Sequence, residues 1–356
     1  MTEHAALLVG GPCGAEEHTG GDHHPERPAR VAAAMAGVAD LGLGDAVTRV
    51  APTAVTMEQL TAVHDPEYLA ELEARSARGD GELDPDTFVT HSSWAAARDA
   101  AGAGLATVAA LAAQGEGVGF VAARPPGHHA TANRGMGFCL LNNIAIAAAA
   151  LVAEGQRVLI FDWDVHHGNG TQAIFWNEPA VLYVSTHQSP LFPGTGRPHE
   201  VGGTRAPGLN VNLPVPPGAT GDVLQRALDE VAAPVIEEFA PTWVLVSAGF
   251  DAHRADPLAE LALSSGDFAT LARTARSYAP EPGRVVLFLE GGYDLRALRG
   301  SVEASLGALL GATGEPELPT SGGPGADAVA RINEEYHEAR DRVTALAAVV
   351  ATDHEA

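Results

Sequence analysis

Short runs of apolar residues recur along the chain, and polar residues do not alternate with apolar ones inside them. Such runs are typical of strands that are buried on both faces of a parallel sheet. They occupy residues 119–122, 158–161, 181–185, 209–215, 243–247 and 285–289. Helical spacing of apolar residues lies between them, at residues 94–114, 144–154, 221–239 and 267–278. This alternation predicts a single-domain α/β fold, with a doubly wound parallel sheet flanked by helices.

The two ends of the chain carry weaker patterns. Residues 2–30 are rich in His, Gly and Pro and predict a structured loop ahead of a first helix, while residues 54–78 show helical spacing. We expect one domain over residues 1–314, a linker rich in Pro, Gly and Ser over 315–327, and a last helix over 328–356. An apolar stripe along that last helix favours docking onto the parent domain.

The charge balance excludes some classes of partner. The 356-residue chain has 21 positive charges, all of them arginine, and 45 negative charges, for a net charge of -24. Repulsion of phosphates by this charge argues against nucleic-acid binding. No apolar segment has the length of a membrane span, and no export signal is evident. The two cysteines, Cys13 and Cys139, form no disulfide pattern, so we expect a soluble protein of the reducing cytoplasm.

Polar residues follow the apolar run 158–161 abruptly. Because side chains alternate along an extended chain, Asp162, Asp164 and His166 are expected to point the same way. They would converge at the carboxyl end of a strand, where open α/β sheets place their ligands. An Asp-x-His pair supplies donors of the kind that hold Zn²⁺ in catalytic sites. The alternative for such a short motif is an Asp-rich turn that caps a following helix.

Three other predicted strands also end in polar residues. His128 and His129 follow a rigid Pro-Pro-Gly turn, Asp251 follows the run 243–247, and Tyr293 follows the run 285–289. All these ends lie at one edge of a parallel sheet, so we expect a single cleft. Asp251 would complete a three-ligand metal site, either histidine could accept a proton, and the tyrosine could donate to an oxyanion. The set predicts metal-assisted hydrolysis of an amide, with Arg30 and the nearby histidines as a polar scaffold behind it.

Six motifs appear in order: RPPGHHA, GFCLLNN, FDWDVHHGNGTQ, HQSPLFPGTG, SAGFDAHRADPL and LEGGYD. The chain resembles the zinc-dependent histone deacetylase family over residues 18–299, with most similarity to class II-type members and to bacterial amidohydrolase and acetylpolyamine amidohydrolase relatives. The resemblance implies the arginase–deacetylase α/β fold. It also implies one catalytic Zn²⁺ on Asp164, His166 and Asp251, with His128 and His129 as tandem catalytic histidines and Tyr293 as the oxyanion-stabilising residue.

Further roles follow from the resemblance by matching positions. Asp162 would orient His128, and Asn169 would hold His129. Class I members have Asp in place of Asn169, so the two histidines should differ more in basicity here, which favours His129 as the general base. The substrate channel would be lined by Gly137, Phe138, Phe192 and, at its rim, Leu258. A structural K⁺ would be bound by Asp162, Asp164, His166, Ser185 and Thr186.

The expected substrate is an acetylated lysine in a peptide or protein, or a small acetylated amine. Acetylpolyamine hydrolysis is the nearest alternative, although Leu258 at the rim favours acetyl-lysine or another neutral acyl substrate. A two-metal ureohydrolase would need further ligands, for which only His253 and Asp256 are candidates. An acyl-lysine-binding pseudoenzyme is the non-enzymatic alternative. The sequence leaves open whether the chain forms a homo-oligomer.

Overall fold

The structure is a computed structural model that describes residues 7–11, 15–21, 23–79, 81–311 and 317–354. Cys13, the expected domain boundary at residue 314, and the last two residues of the expected final helix lie outside the described residues. None of the helices in the described part of the chain is long and apolar enough to cross a membrane.

Eight strands form one sheet in which every neighbouring pair is parallel. Strands are numbered along the chain, and their spatial order is β2 (Val47–Val50), β1 (Leu7–Gly10), β5 (Val118–Val121), β10 (Val285–Leu289), β9 (Trp243–Ala248), β6 (Val158–Asp162), β7 (Val181–Gln188) and β8 (Asn210–Val215). A separate antiparallel pair consists of β3 (Glu82–Asp84) and β4 (Thr87–Phe88).

Helices cover both faces of the large sheet. They are α1 (Ala29–Asp40), α2 (Met57–Thr61), α3 (Pro66–Arg78), α4 (Ser93–Gln114), α5 (Asn143–Ala153), α6 (Asn169–Phe175), α7 (Gly221–Ala227), α8 (Ala233–Phe239), α9 (Ser265–Tyr278), α10 (Leu295–Leu309) and α11 (Ala326–His354). A π-helical turn, Leu228–Ala232, joins α7 to α8, and a 3₁₀ turn, Gly44–Ala46, precedes β2.

The uniformly apolar strands are explained by two separate cores. In β6, Leu159 and Phe161 point into a core shared with α9 and α10, whereas Val158 and Ile160 point into a core shared with α4 and α5. A strand with helices on both faces needs apolar side chains at every position. The α/β sheet expected from the sequence is therefore confirmed.

Some helices and strands of the structure were not predicted from the pattern of apolar residues. Strands β1 and β2, of four residues each, were not predicted. The first is apolar but very short, and the two middle residues of the second are polar and exposed. Residues 54–78 form two helices instead of one, because Pro66 cannot continue a helix and its predecessor Asp65 is extended. Helix α10 was not predicted either, although Asp294 caps its first turn by accepting two backbone N–H groups.

The amino-terminal half of α11 packs against the sheet domain. Val329, Ile332 and Tyr336 are almost fully buried, and the Tyr336 hydroxyl donates a hydrogen bond to the carbonyl of Gly208 at 2.8 Å. Farther along the helix, Leu346 is 58% exposed. The apolar stripe of α11 therefore contacts the domain as far as Ala339 and Val343, whereas Leu346 beyond them is largely exposed.

Candidate active site

Three residues with metal-binding side chains meet beyond the ends of the adjacent strands β6 and β9. Asp164, His166 and Asp251, named here the ligand triad, each place one candidate ligand atom within 4.8 Å of the others. His166 Nδ1 lies 3.1 Å from Asp164 Oδ1 and 3.2 Å from Asp251 Oδ2. The backbone after β6 puts Asp164 and His166 on one side, and the pairing of β6 with β9 brings Asp251 to them.

The ligand triad fits a divalent cation. Both carboxylates are buried, and Asp251 Oδ2 lies 3.2 Å from His166 Nδ1 in a geometry that forms no hydrogen bond to it or to any other described group. A buried carboxylate oxygen without a partner is costly unless a positive charge compensates for it. Burial, and then the negative charge of Asp164, raises the pKa of Asp251, so a cation at this point would relieve an unfavourable concentration of charge. Two carboxylates and one imidazole leave one position of a tetrahedral Zn²⁺ site open.

Two histidines follow β5 in the turn formed by residues 125–129, named here the histidine turn. The ring centroids of His128 and His129 are 4.0 Å apart. His128 Nδ1 lies 3.0 Å from Asp162 Oδ2, and His129 Nδ1 lies 2.8 Å from Asn169 Oδ1. One ring is thus paired with a carboxylate and the other with a neutral amide.

The two partners give the histidines opposite basicities. Burial by itself would lower the pKa of His128, but the neighbouring carboxylates, Asp162 first, outweigh burial and raise it to about 10. Burial, followed by the charges of the neighbouring imidazoles, lowers the pKa of His129 well below its ordinary value. A cation at the ligand triad would lower both pKa values, but the difference between a carboxylate partner and an amide partner remains. Of the two rings, His129 is therefore the weaker base.

Glu290 is a site residue that the sequence reasoning did not single out. Its side chain is buried, and its Oε2 accepts hydrogen bonds from the backbone N–H groups of Gly127 at 2.7 Å and His128 at 3.2 Å. It thereby holds the histidine turn from the end of β10. The available signal was its place in the LEGGYD motif, since a carboxylate directly after a buried strand needs a partner.

Tyr293 lies in the turn formed by residues 290–294, named here the tyrosine turn. The Arg30 guanidinium lies 4.8 Å from the centre of its ring and donates hydrogen bonds to the carbonyls of Glu290 and of Gly292, the latter at 2.7 Å. Glu26 forms a buried ion pair with the Arg30 guanidinium. Burial raises the pKa of the Tyr293 phenol well above its ordinary value, so the hydroxyl keeps its proton.

A cavity of about 390 Å³ connects these groups to the surface. Phe138 and Phe192 form its walls, Gly137 and Leu258 also contact it, and its floor is made by the two histidines, Tyr293 and part of the ligand triad. A side chain at Gly137 would collide with His129 and Phe192, which explains the glycine. His24, Pro25, Pro85, Asp86, Pro126, Leu191 and Gly291 complete the lining.

The residues expected to bind K⁺ comprise Asp164 and His166 of the ligand triad together with Asp162, Ser185 and Thr186 on β6 and β7. The pairing of β6 with β7 places Asp162 beside Ser185. Asp164 and His166 lie in the segment that directly follows β6. Ser185 and Thr186 are buried, and the Thr186 hydroxyl has no hydrogen-bond partner among the described residues.

Neither candidate for a second metal ligand joins a metal-type cluster. His253 Nε2 lies 3.0 Å from Glu317 Oε2, and both oxygens of Asp256 accept backbone N–H groups. Across the described residues, the ligand triad is the only group of three or more His, Cys, Asp or Glu side chains that could hold an ion. The described residues therefore offer no second metal-type group of the kind that the ureohydrolase alternative needs.

Comparisons with known proteins, by sequence and by structure, identify the family of this chain. A sequence model of the histone deacetylase domain matches residues 24–309. The chain is 39% identical over 311 residues to a probable deacetylase of Archaeoglobus fulgidus, covering 85% of this chain and 86% of that protein. It is 39% identical over 250 residues to a histone deacetylase-like amidohydrolase of Pseudomonas aeruginosa, covering 69% and 66%. The crystal structure of the HDA15 HD domain matches with a TM-score of 0.84 and 32% identity, covering 98% of both chains.

These findings confirm the resemblance indicated by the six motifs and the deacetylase class of enzyme expected from it. The family acts on acetylated amides and is generally metal-dependent, and the chain has a triad that suits a metal. This chain belongs to the histone deacetylase family of amide hydrolases.

Proposed function

We propose that the chain is a zinc-dependent deacetylase that hydrolyses the N-acetyl amide of acetyl-lysine side chains or of small acetylated amines. The observation that carries this proposal is the convergence of Asp164, His166, the tandem histidines and Tyr293 in the lining of one largely apolar cavity, with Asp251 directly against His166. Amide hydrolysis needs an activated water, a base and a donor for the oxyanion, and each has a candidate here.

In this proposal Asp164, His166 and Asp251 hold the Zn²⁺. When bound, the ion lowers the pKa of a water molecule and polarises the acyl carbonyl. Asp164 Oδ2 also accepts the N–H of Gly291 at 2.8 Å, and Asp251 Oδ1 accepts the N–H of Val165 at 3.0 Å. These backbone contacts fix the two carboxylates, so that the unpaired oxygen of Asp251 faces the centre of the triad.

His129 is the general base of the proposed reaction. Its Nδ1 lies against the Asn169 amide oxygen, so the ring proton sits on Nδ1 and Nε2 keeps a free lone pair. His129 Nε2 takes a proton from the attacking water and returns it to the leaving amine. His128, charged through its pairing with Asp162, stabilises the negative charge that develops beside it.

Tyr293 supplies the oxyanion donor. Its hydroxyl makes no hydrogen bond to any described residue, its ring is held by Arg30, and burial keeps it protonated. A donor that is already oriented and has no competing acceptor is well suited to a charge that forms only in the transition state.

The shape of the cavity supports a slender, neutral acyl-amine chain as substrate. Phe138 and Phe192 present apolar faces, and the Phe192 ring stands at 84° to the His129 ring with 5.1 Å between their centres. Leu258 at the mouth offers no charge to a second ammonium group. Asp86 does bring a carboxylate to the same lining, so the cavity suits both acetyl-lysine and a small acetylated amine. The expected K⁺ site at Ser185 and Thr186 is part of the same proposal, supported by the buried, unpaired Thr186 hydroxyl.

Asp251→Ala tests the proposal directly. We expect loss of bound zinc and of activity on an acetyl-lysine peptide, because one of three ligands is removed. Asp222→Asn is a matched control, since this aspartate accepts the N–H groups of Val223 and Gly322, each at 3.0 Å, outside the cavity. Full zinc content and turnover in Asp251→Ala would refute the metal assignment. A wild-type protein with two bound metals and no deacetylase activity would favour the ureohydrolase alternative.

A further inference from the structure

The carboxylate of Asp256 joins the two loops that shape the cavity. It is 7% exposed and belongs to the loop between Asp251 and Leu258. Its Oδ2 accepts the backbone N–H groups of Tyr293 at 2.6 Å and Asp294 at 3.2 Å. Its Oδ1 accepts the backbone N–H of Leu258 at 3.0 Å. One side chain therefore contacts both the rim residue and the residue that carries the phenol.

The tyrosine turn needs such an external anchor. Two glycines precede Tyr293, and Gly292 has a φ of +115°, a region that a residue with a side chain rarely adopts. At Gly291 an added Cβ would lie 1.9 Å from Asp251 Oδ2, so no bulkier residue could stiffen this position. Glycine permits the close approach, but it leaves the peptide free to move.

Several hydrogen bonds restrain the turn, and they differ in which peptide they hold. Asp164 accepts the N–H of Gly291, and Arg30 donates to the carbonyl of Gly292. The N–H of Tyr293 itself is held by Asp256. The same carboxylate holds the N–H of Asp294, whose side chain caps α10, so the turn is also fixed to the start of that helix.

We infer that Asp256 is a positioning residue. It fixes the position of the Tyr293 phenol relative to the ligand triad and to the loop that bears Leu258. This inference rests on the proposed function, because it concerns the residue that stabilises the oxyanion. A carboxylate suits the task because three N–H donors converge on it and it offers lone pairs on both oxygens. An amide would turn its own NH₂ group toward one of the donors.

A ligand role for Asp256 does not agree with its contacts. Both oxygens accept N–H groups, and Asp256 joins no group of metal-type side chains among the described residues, whereas Asp251 belongs to the ligand triad. Its neighbour His253 is engaged by Glu317. The contacts of Asp256 are therefore those of a backbone clamp.

The test is a double-mutant cycle between Asp256→Asn and Tyr293→Phe, measured as single-turnover deacetylation of an acetyl-lysine peptide by zinc-loaded protein. We expect Asp256→Asn to lower kcat roughly 10- to 100-fold, the size of loss that a misplacement of about 1 Å can cause. KM and zinc content should stay near wild type. In the Tyr293→Phe background the same change should have almost no further effect, because the hydroxyl to be positioned is gone.

Asp267→Asn is the matched control. Asp267 is 3% exposed and accepts the backbone N–H groups of Ser264 at 2.8 Å and Thr320 at 3.0 Å, away from the cavity. It should lower the melting temperature and leave kcat per folded molecule unchanged. If Asp256→Asn does not fold, Asp256→Ala replaces it in the cycle, since the space that it leaves lets water accept from the three donors.

The outcomes separate the inference from the proposed function. Equal fold-losses from Asp256→Asn in both backgrounds, or a normal rate in the single variant, overturn the positioning role while deacetylation by the wild type stands. An inactive, zinc-loaded wild type overturns the proposed function itself.

Discussion

Removing the hydroxyl of Tyr293 tests the proposed chemistry with a very small structural change. The described contacts of this side chain are with the Phe138 ring, 5.8 Å between centres, and with the Arg30 guanidinium at 4.8 Å. Both contacts use the ring and not the hydroxyl, so Tyr293→Phe preserves them. We therefore expect the free energy of unfolding to change by less than about 0.5 kcal/mol.

The expected loss of rate is much larger than this loss of stability. Burial keeps the Tyr293 phenol protonated, so it is available as a donor throughout the neutral range. One preorganised donor to a developing oxyanion is worth about 10²–10³ in kcat, or ~2.7–4 kcal/mol. Because this hydrogen bond strengthens only in the transition state, kcat and kcat/KM should fall together with KM nearly constant.

Tyr336→Phe is the matched control for the assay. This buried phenol donates to the Gly208 carbonyl beneath α11 and is not part of the cavity. Its loss leaves a buried acceptor without its partner, which costs about 1–3 kcal/mol, while kcat should be unchanged. Melting temperature, bound zinc and single-turnover rate are measured on one preparation of each variant. A normal rate in folded, zinc-loaded Tyr293→Phe would refute the proposed role, and a lower melting temperature with normal turnover would make Tyr293 a structural residue of its turn.

Three further changes test specificity, proton transfer and the last helix. Leu258→Glu adds a carboxylate at the mouth and should raise activity on acetylated polyamines relative to acetyl-lysine; an unchanged ratio contradicts this. Asn169→Asp places a carboxylate against His129 and raises its pKa. Because turnover needs the neutral ring, the acidic limb of kcat/KM should move to higher pH, and an unmoved limb would exclude His129 as the base. Ile332→Ala, 4% exposed, should cost about 2–5 kcal/mol of unfolding free energy. Leu346→Ala, 58% exposed on the same helix, should cost less than about 0.5 kcal/mol, and equal melting temperatures would argue against docking of α11.

The sheet and the convergence of the site were predictable because both follow from local periodicity. A strand buried on both faces must be apolar throughout, so the runs that became β5, β6, β7, β9 and β10 were visible in the sequence. Their parallel arrangement puts all their carboxyl ends at one edge. His128, Asp164, Asp251 and Tyr293 could therefore be placed near one another without knowing any contact.

The residues that hold the site were less visible, because their partners are far away in sequence. Glu290 reaches the Gly127 amide across 163 residues, and Arg30 reaches the Gly292 carbonyl across 262. No periodicity encodes such pairs. Arg30 could be assigned only to a general scaffold, because the short strand β1 and the partly exposed edge strand β2 were not predicted and so could not place the segment around it.

Asp251 and Asp256 show where sequence reasoning reaches its limit. Both lie in the motif SAGFDAHRADPL, both are buried, and by residue type either one could bind a metal. The structure distinguishes them by their oxygens: those of Asp256 accept three backbone N–H groups, whereas Asp251 keeps Oδ2 free of hydrogen bonds. Accepting N–H groups does not by itself exclude a ligand, because Asp164 of the ligand triad also accepts one on each of its oxygens. Asp251 lies beside Asp164 and His166, whereas Asp256 joins no group of metal-type side chains among the described residues. Metal binding is therefore expected at Asp251, and the difference depends on backbone geometry that the residue type does not encode.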